Sequence, residues 1–291
     1  MNLPLAREAS TDAFEFVREL ATGLTAGNIE LPSFPEVAQR VQKVLSEDDS
    51  DSARVVRVLG AEPVLASRVL AMANAAALNP GGKAVTDLRT AVTRLGFDSL
   101  RSAAIGFAMA QIQRAKAFKG IERHLSALWQ QSVLVAALCF VVARRTDKMS
   151  PDTAMLAGLV HGVGKLYILT HSMKHPALFG EQQMYQRIVR DWHGNVAKAL
   201  LESWYMAEEI VTAVHSYEDP ARELRGLAAG LADVLDVADM LSACKEAPDN
   251  VPALLVGRRA VTRLGLDAEL CQTLLLESGE ELAALRDALG H

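Results

Sequence analysis

Seven histidines stand in this chain of 291 residues, and three of them, His161, His193 and His215, fall in or at the edge of segments whose spacing predicts helices. A neutral imidazole binds metals well, yet it is equally at home as a hydrogen-bonded core or surface group. Taken singly, none of the three marks a site. The surroundings of His161 are more informative: Leu156-Ala157-Gly158-Leu159-Val160-His161-Gly162-Val163-Gly164-Lys165-Leu166 reads as a helix running into a glycine-rich corner and then a second helix. Lys165 follows His161 by four residues and would share its pocket if the helix ran through the corner; otherwise it is a solvated lysine at a helix start. There is no G-x-x-x-x-G-K-[ST], no G-x-G-x-x-G after a strand and no nucleophile elbow, so nucleoside triphosphate and dinucleotide chemistry have no support.

The elements that must position these residues are helices throughout. Apolar residues recur at helical spacing, as in Val37, Val41, Val44 and Leu45, or Leu65, Val69, Met72 and Ala76, and no alternating strand pattern is present. The spacing predicts helices near 10–26, 34–46, 52–59, 62–77, 87–95, 99–118, 121–145, 151–160, 164–171, 176–190, 193–204, 207–217, 223–245, 253–264, 267–276 and 279–289. Ser33 before Glu36, Ser150 before Pro151, and Ser278 before Glu281 serve as expected N-caps. One phrase occurs twice, Ala91-Val92-Thr93-Arg94-Leu95-Gly96-Phe97-Asp98 and Ala260-Val261-Thr262-Arg263-Leu264-Gly265-Leu266-Asp267. It reads as a helix closed by a left-handed glycine, with an aspartate capping the next helix.

Several phrases, in order, resemble the HDOD domain of bacterial signalling proteins, a relative of the HD superfamily of phosphohydrolases. They are Leu31-Pro32-Ser33-Phe34-Pro35-Glu36-Val37-Ala38, the run from Glu62-Pro63 to Asn74, Thr90-Ala91-Val92-Thr93-Arg94-Leu95-Gly96, Leu128-Trp129-Gln130-Gln131-Ser132, the run from His193-Gly194 to Trp204, and Glu208-Glu209-Ile210-Val211-Thr212-Ala213-Val214-His215. The resemblance covers about residues 29 to 245. In catalytic HD proteins, it implies, an early histidine, a His-Asp pair and a late aspartate hold one or two divalent metals that activate water against a phosphoester. Here Gln131 stands in place of the first histidine and Gly162 in place of the paired aspartate, while His161 is kept and Asp239 fits the late aspartate. Two of the four metal-binding groups are therefore missing. The expectation is that His161, His193, His215 and Asp239 hold one another by hydrogen bonds or water, with Lys165 as counter-charge to Asp239. A further expectation is that Gly162 holds a backbone conformation that aspartate tolerates poorly.

Half of the residues are apolar and 22% are charged, which places the chain among globular proteins that bury a large core. A net charge of −5, with isolated basic pairs such as Arg144-Arg145 and Arg258-Arg259, gives no general attraction to nucleic acid or anionic membrane. The longest apolar run, 11 residues from Val133 to Ala143, is shorter than the roughly 20 that a membrane span needs. Cys139, Cys244 and Cys271 are widely separated and form no C-x-x-C, as expected of a reducing, cytoplasmic setting.

The sequence thus predicts an all-α, multi-helical HD-like domain with an N-terminal helical bundle subdomain. The expected divisions are a helical extension at 1–28, the N-terminal subdomain at 29–120, the HD-like subdomain at 121–246 and a C-terminal extension at 247–291, detached at Ala247-Pro248-Asp249-Asn250-Val251-Pro252. The expected function is a bacterial signal-transduction module that binds a sensor or regulator protein, without catalysis, cofactor, nucleic acid or membrane; a homodimer is left open. The alternatives are a divergent metal-dependent phosphohydrolase that gathers His161, His193, His215 and Asp239 around one ion, and a small-ligand receptor that reuses the pocket.

Overall fold

The computed structural model describes residues 3–31, 34–47, 51–75, 78–79, 81–146, 149–219, 221–224, 228–277 and 279–290. All regular structure among them is helical. The N-terminal part carries α1 (Leu3–Ala26), α2 (Glu36–Leu45), α3 (Ser52–Gly60), α4 (Pro63–Asn74) and α5 (Leu88–Arg114). The middle part carries α6 (Glu122–Thr146), α7 (Pro151–Val160), α8 (Val163–Ser172), α9 (Pro176–Gly180), α10 (Gln182–Ser203), α11 (Glu208–Ser216), α12 (Ala221–Leu224) and α13 (Leu231–Ala243). The chain ends in α14 (Val251–Leu255), α15 (Arg259–Leu264), α16 (Ala268–Glu277) and α17 (Gly279–Gly290).

The helices start where the chain offers acceptors for orphan N–H groups. Asp51, Asp87 and Ser150 accept from Ala53 N, Thr90 N and Thr153 N respectively, and Pro63 and Pro151 occupy first turns where no N–H is needed. The expected caps at Ser33 and Ser278 lie outside the described residues. The twice-used phrase shares its glycine device but not its aspartate. Gly96 (φ 72°) kinks α5, Gly265 (φ 73°) closes α15, and Asp267 caps α16 through Leu270 N at 2.7 Å. Asp98, expected to cap, instead accepts from Thr153 Oγ1 at 2.6 Å while Ser99 Oγ donates to Asp152 at 2.9 Å. This reciprocal brace ties the N-terminal subdomain to the first turn of α7.

At the centre lies α6, whose residues from Ser132 to Ala143 are all buried, as befits a helix apolar on every side. Helix α7 lies against it so closely that a Cβ on Gly158 would stand 2.6 Å from Ala136 Cα. The stretches Glu122–Thr146 and Pro151–Ser172 are long and apolar enough to cross a membrane, but 72% and 89% of their apolar windows are buried, so they are core helices here.

One contiguous core spans the whole chain. Helix α1 buries Phe16 and Leu20 and packs on α9 and α10, in the HD-like part. Segment 247–291, expected to detach, folds back instead: α17 places Leu282, Leu285 and Leu289 against α6, α5 and α4, and Arg68 Nη1 donates to Leu289 O at 2.7 Å.

Several expected boundaries move. The break near 191–192 falls instead between α9 and α10, which leaves His193 in mid-helix, and the expected helices 87–95 and 99–118 are joined as α5 across the Gly96 kink. The expected helix 253–264 divides into α14 and α15, with Gly257 at φ 76° between them, and the expected helix 223–245 divides into α12 and α13. Between them Arg222 folds over to Asp233, whose Oδ1 receives Arg222 Nη2 and Arg263 Nη2, each at 2.6 Å.

Candidate functional site

The corner after α7 places the functional side chains. His161 ends that helix, Gly162 begins the turn, and α8 starts anew at Val163, so Lys165 sits in a first turn and not on a continued helix. His161 is 3% exposed; its Nδ1 donates to Gly158 O at 2.6 Å, which leaves Nε2 as a lone pair 3.9 Å from Asp239 Oδ1. A carboxylate only accepts, so the amide nitrogen of Gln131 faces it, at 3.4 Å from Asp239 Oδ1 and 2.6 Å from Ser242 Oγ. Ser242 in turn donates to Asp239 O, one helical turn back on α13.

A second cluster stands beside the first. Glu218 accepts from His193 Nε2 at 2.7 Å, from Lys165 Nζ at 2.8 Å and from the Tyr217 hydroxyl at 2.5 Å. The Tyr217 ring meets His161 edge-on with centroids 6.0 Å apart and so joins the clusters. Lys165 therefore pairs with Glu218, not with Asp239 as the sequence led us to expect. His215 leaves the site altogether: it is exposed and bonds to Asn195 Oδ1 at 3.1 Å. Nor does Gly162 hold a special backbone conformation, since its φ is −83°. What stands in the way of a side chain is Ser132 Oγ, 2.9 Å from where its Cβ would be. A groove of about 620 Å³, lined by Gln131, Lys165, Gln182 and Tyr185 among others, opens beside the two clusters.

Residues 31–220 match the HDOD domain. The chain belongs to the HDOD family. Solved structures share the fold, and one of them is an HDOD domain protein. A Shewanella amazonensis SB2B protein, provisionally assigned as a metal-dependent phosphohydrolase, is 25% identical with a TM-score of 0.72, over 96% of this chain and 99% of that one. An HDOD domain protein of unknown function from Geobacter sulfurreducens is 25% identical with a TM-score of 0.63, over 93% and 97%. A second Shewanella amazonensis protein, 21% identical with a TM-score of 0.67 over 93% and 97%, shares the fold. A comparison with curated proteins returns no match.

The donor set of this HDOD chain does not fit the metal that the HD relationship implies. Gln131 presents N–H groups where a ligand lone pair is needed, and Gly162 presents nothing. Among the described residues, no group of three or more His, Cys, Asp and Glu side chains is placed to hold an ion.

Glu218, Tyr217 and Ser242 are the residues that sequence reasoning missed. Two signals were available. Ser242 lies three residues after Asp239, hence on the same helical face. Glu218 follows the Tyr217 cap of α11, and a carboxylate near the negative end of a helix is unfavourable unless cations meet it there.

The pH response follows from the two clusters. Burial alone would raise the Glu218 carboxyl, but the His193 hydrogen bond and the Lys165 charge outweigh it and hold the group well below the usual range. Burial lowers His161 below its ordinary 6.5, against the opposing pull of Asp239. For both groups the folded value lies below the unfolded one, so their stabilisation is complete above the ordinary value and is lost as pH falls. Urea midpoints should therefore drop in two stages, first below about pH 6.5 and again below about 4.5. His161→Gln is expected to shrink the first stage without abolishing it, because burial also lowers His171. A flat profile from pH 8 to 5 would contradict this account.

Proposed function

We propose that this HDOD chain is a bacterial regulatory module that binds a signalling protein, such as a sensor or regulator, and does not hydrolyse phosphoesters. The observation that carries the reading is the Gln131 amide, which satisfies Asp239 and Ser242 by direct hydrogen bonds. Asp239 is half-buried, and an N–H donor turned toward its carboxylate stands where a cation would otherwise be needed. The acidic net charge supports a partner that is neither nucleic acid nor membrane, and three free, buried cysteines suit a cytoplasmic protein.

The test is elemental analysis of protein purified without chelator or added metal, alongside turnover assays on phosphodiesters and nucleotides. We expect well under one equivalent of Mn, Fe, Ni or Zn and no turnover. Stoichiometric metal that is lost on His161→Ala would overturn the reading in favour of a divergent phosphohydrolase; the His161 Nε2 lone pair 3.9 Å from Asp239 and the assignment given to the first Shewanella amazonensis protein stand on that side. Capture of partners and bound small molecules from a bacterial lysate, repeated on Gln186→Arg at a residue that also lines the groove of about 620 Å³ beside the two clusters, tests the small-ligand reading. A small-ligand receptor would lose its ligand to that change while keeping its partners.

A further inference from the structure

A second cavity, of about 350 Å³, lies far along the chain from these clusters, between α2 and the turn that joins α10 to α11. Its volume falls within the range of small-ligand sites, and it sits where the two subdomains meet, a common place for such sites. Phe34 and Trp204 form one wall, their rings stacked with centroids 4.6 Å apart and 21° between planes.

Gln42 lies on the cavity lining and is wholly buried. Its Nε2 reaches Arg101 O at 3.4 Å, but its Oε1 has no hydrogen-bond partner. A buried acceptor left without a donor is rare and calls for an explanation. Beneath it Arg101 binds Leu45 O at 2.7 Å, which keeps this junction in place.

The lip of the cavity is equally unusual. Tyr205 has φ +56°, the only positive φ among the described non-glycine residues. It occupies the position after α10 where glycine is the norm, with Met206 N bonded to Leu201 O and Tyr205 N to Glu202 O. The chain thus retains an aromatic ring, 54% exposed, where a glycine would fit without strain. The charged groups at the rim cancel: Glu30 and Glu36 stand with Arg40 and Lys43, and Arg40 is already paired to Glu36 at 2.8 Å.

We propose that this cavity binds an uncharged, planar heteroaromatic ligand that carries an N–H donor, the chemical class of the nucleobases and nucleosides. The aromatic residues supply flat contact surface, the balanced rim favours no net charge, and Gln42 Oε1, which the cavity as it stands does not expose, accepts the ligand's N–H once the side chain turns to the lining. The inference does not rest on the vestigial HD site.

The test is isothermal titration of the full chain with adenosine, guanosine, cytidine and uridine, each as a separate probe. At least one is expected to bind with a Kd at or below about 1 mM. Gln42→Leu removes the acceptor and is expected to weaken that probe about tenfold, in line with one lost hydrogen bond. An N-methylated form of the same nucleoside, lacking the donor, should weaken likewise. Tyr205→Gly relieves the backbone, so it should fold, and it is expected to weaken binding several-fold through lost ring contact. Absence of saturable binding by all four probes, or binding that Gln42→Leu and Tyr205→Gly leave unchanged, would overturn the proposal. Capture of a protein partner would be unaffected by either result.

Discussion

Asp233→Ala is expected to lower the free energy of unfolding by about 3–5 kcal/mol, the usual cost of removing one partner from a buried ionic cluster. Asp233 is 1% exposed, and its two oxygens join three segments. Oδ1 receives Arg222 from α12 and Arg263 from α15, while Oδ2 receives Gly230 N at the start of its own helix. Alanine would leave the largely buried Arg222 guanidinium without the acceptor of its Nη2. A domain has only about 5–15 kcal/mol in all, so the loss should be plain in urea denaturation. Removing all three charges together, as Arg222→Met, Asp233→Leu and Arg263→Met, should recover most of it, because apolar groups of similar volume carry no desolvation cost. A loss below about 1 kcal/mol for Asp233→Ala would mean that the cluster is solvated in solution.

Gly164→Ala should be nearly as damaging, for a steric reason. The added Cβ would stand 2.0 Å from His193 O, 2.9 Å from His193 C and 3.0 Å from Ala197 N. Every one of these atoms is backbone, so no side chain can swing aside. Helices α8 and α10 would have to part, at a cost of about 3 kcal/mol or more. The His193–Glu218 bond would move with them, so the acid sensitivity described above should flatten in the same variant. Gly60→Ala is the control: its Cβ would meet only Leu88 Cδ2 at 3.6 Å, and its effect should stay within about 1 kcal/mol. Equal denaturation midpoints for the two variants would refute the close approach.

The all-helical class and the corner at His161 were legible in the sequence because both are local. Periodicity, caps such as Ser150 and the run of glycines each act over a few residues. The resemblance added Gln131, Gly162 and Asp239, and the structure does bring Gln131, His161 and Asp239 together. What was not legible depended on side chains meeting across long separations. Lys165 and Glu218 are 53 residues apart, and only the crossing of α8 with the end of α11 decides that they pair. His215 failed for the opposite reason: its helical position was right, but the face it occupies turns to solvent. The C-terminal seam was misjudged because Pro248 and Pro252 mark a turn, which says nothing about whether the chain returns afterwards.

The burial of α6 carries a consequence for the timescale on which this protein opens. From Ser132 to Ala143 its amides are hydrogen-bonded within a helix that neighbours cover on all sides. Such amides are expected to exchange with solvent deuterium only when the domain unfolds as a whole. Gln131, one residue before this buried stretch, is therefore expected to stand at the edge of the slowest-exchanging part of the chain, so that the site's hydrogen bonds hang on its most rigid element.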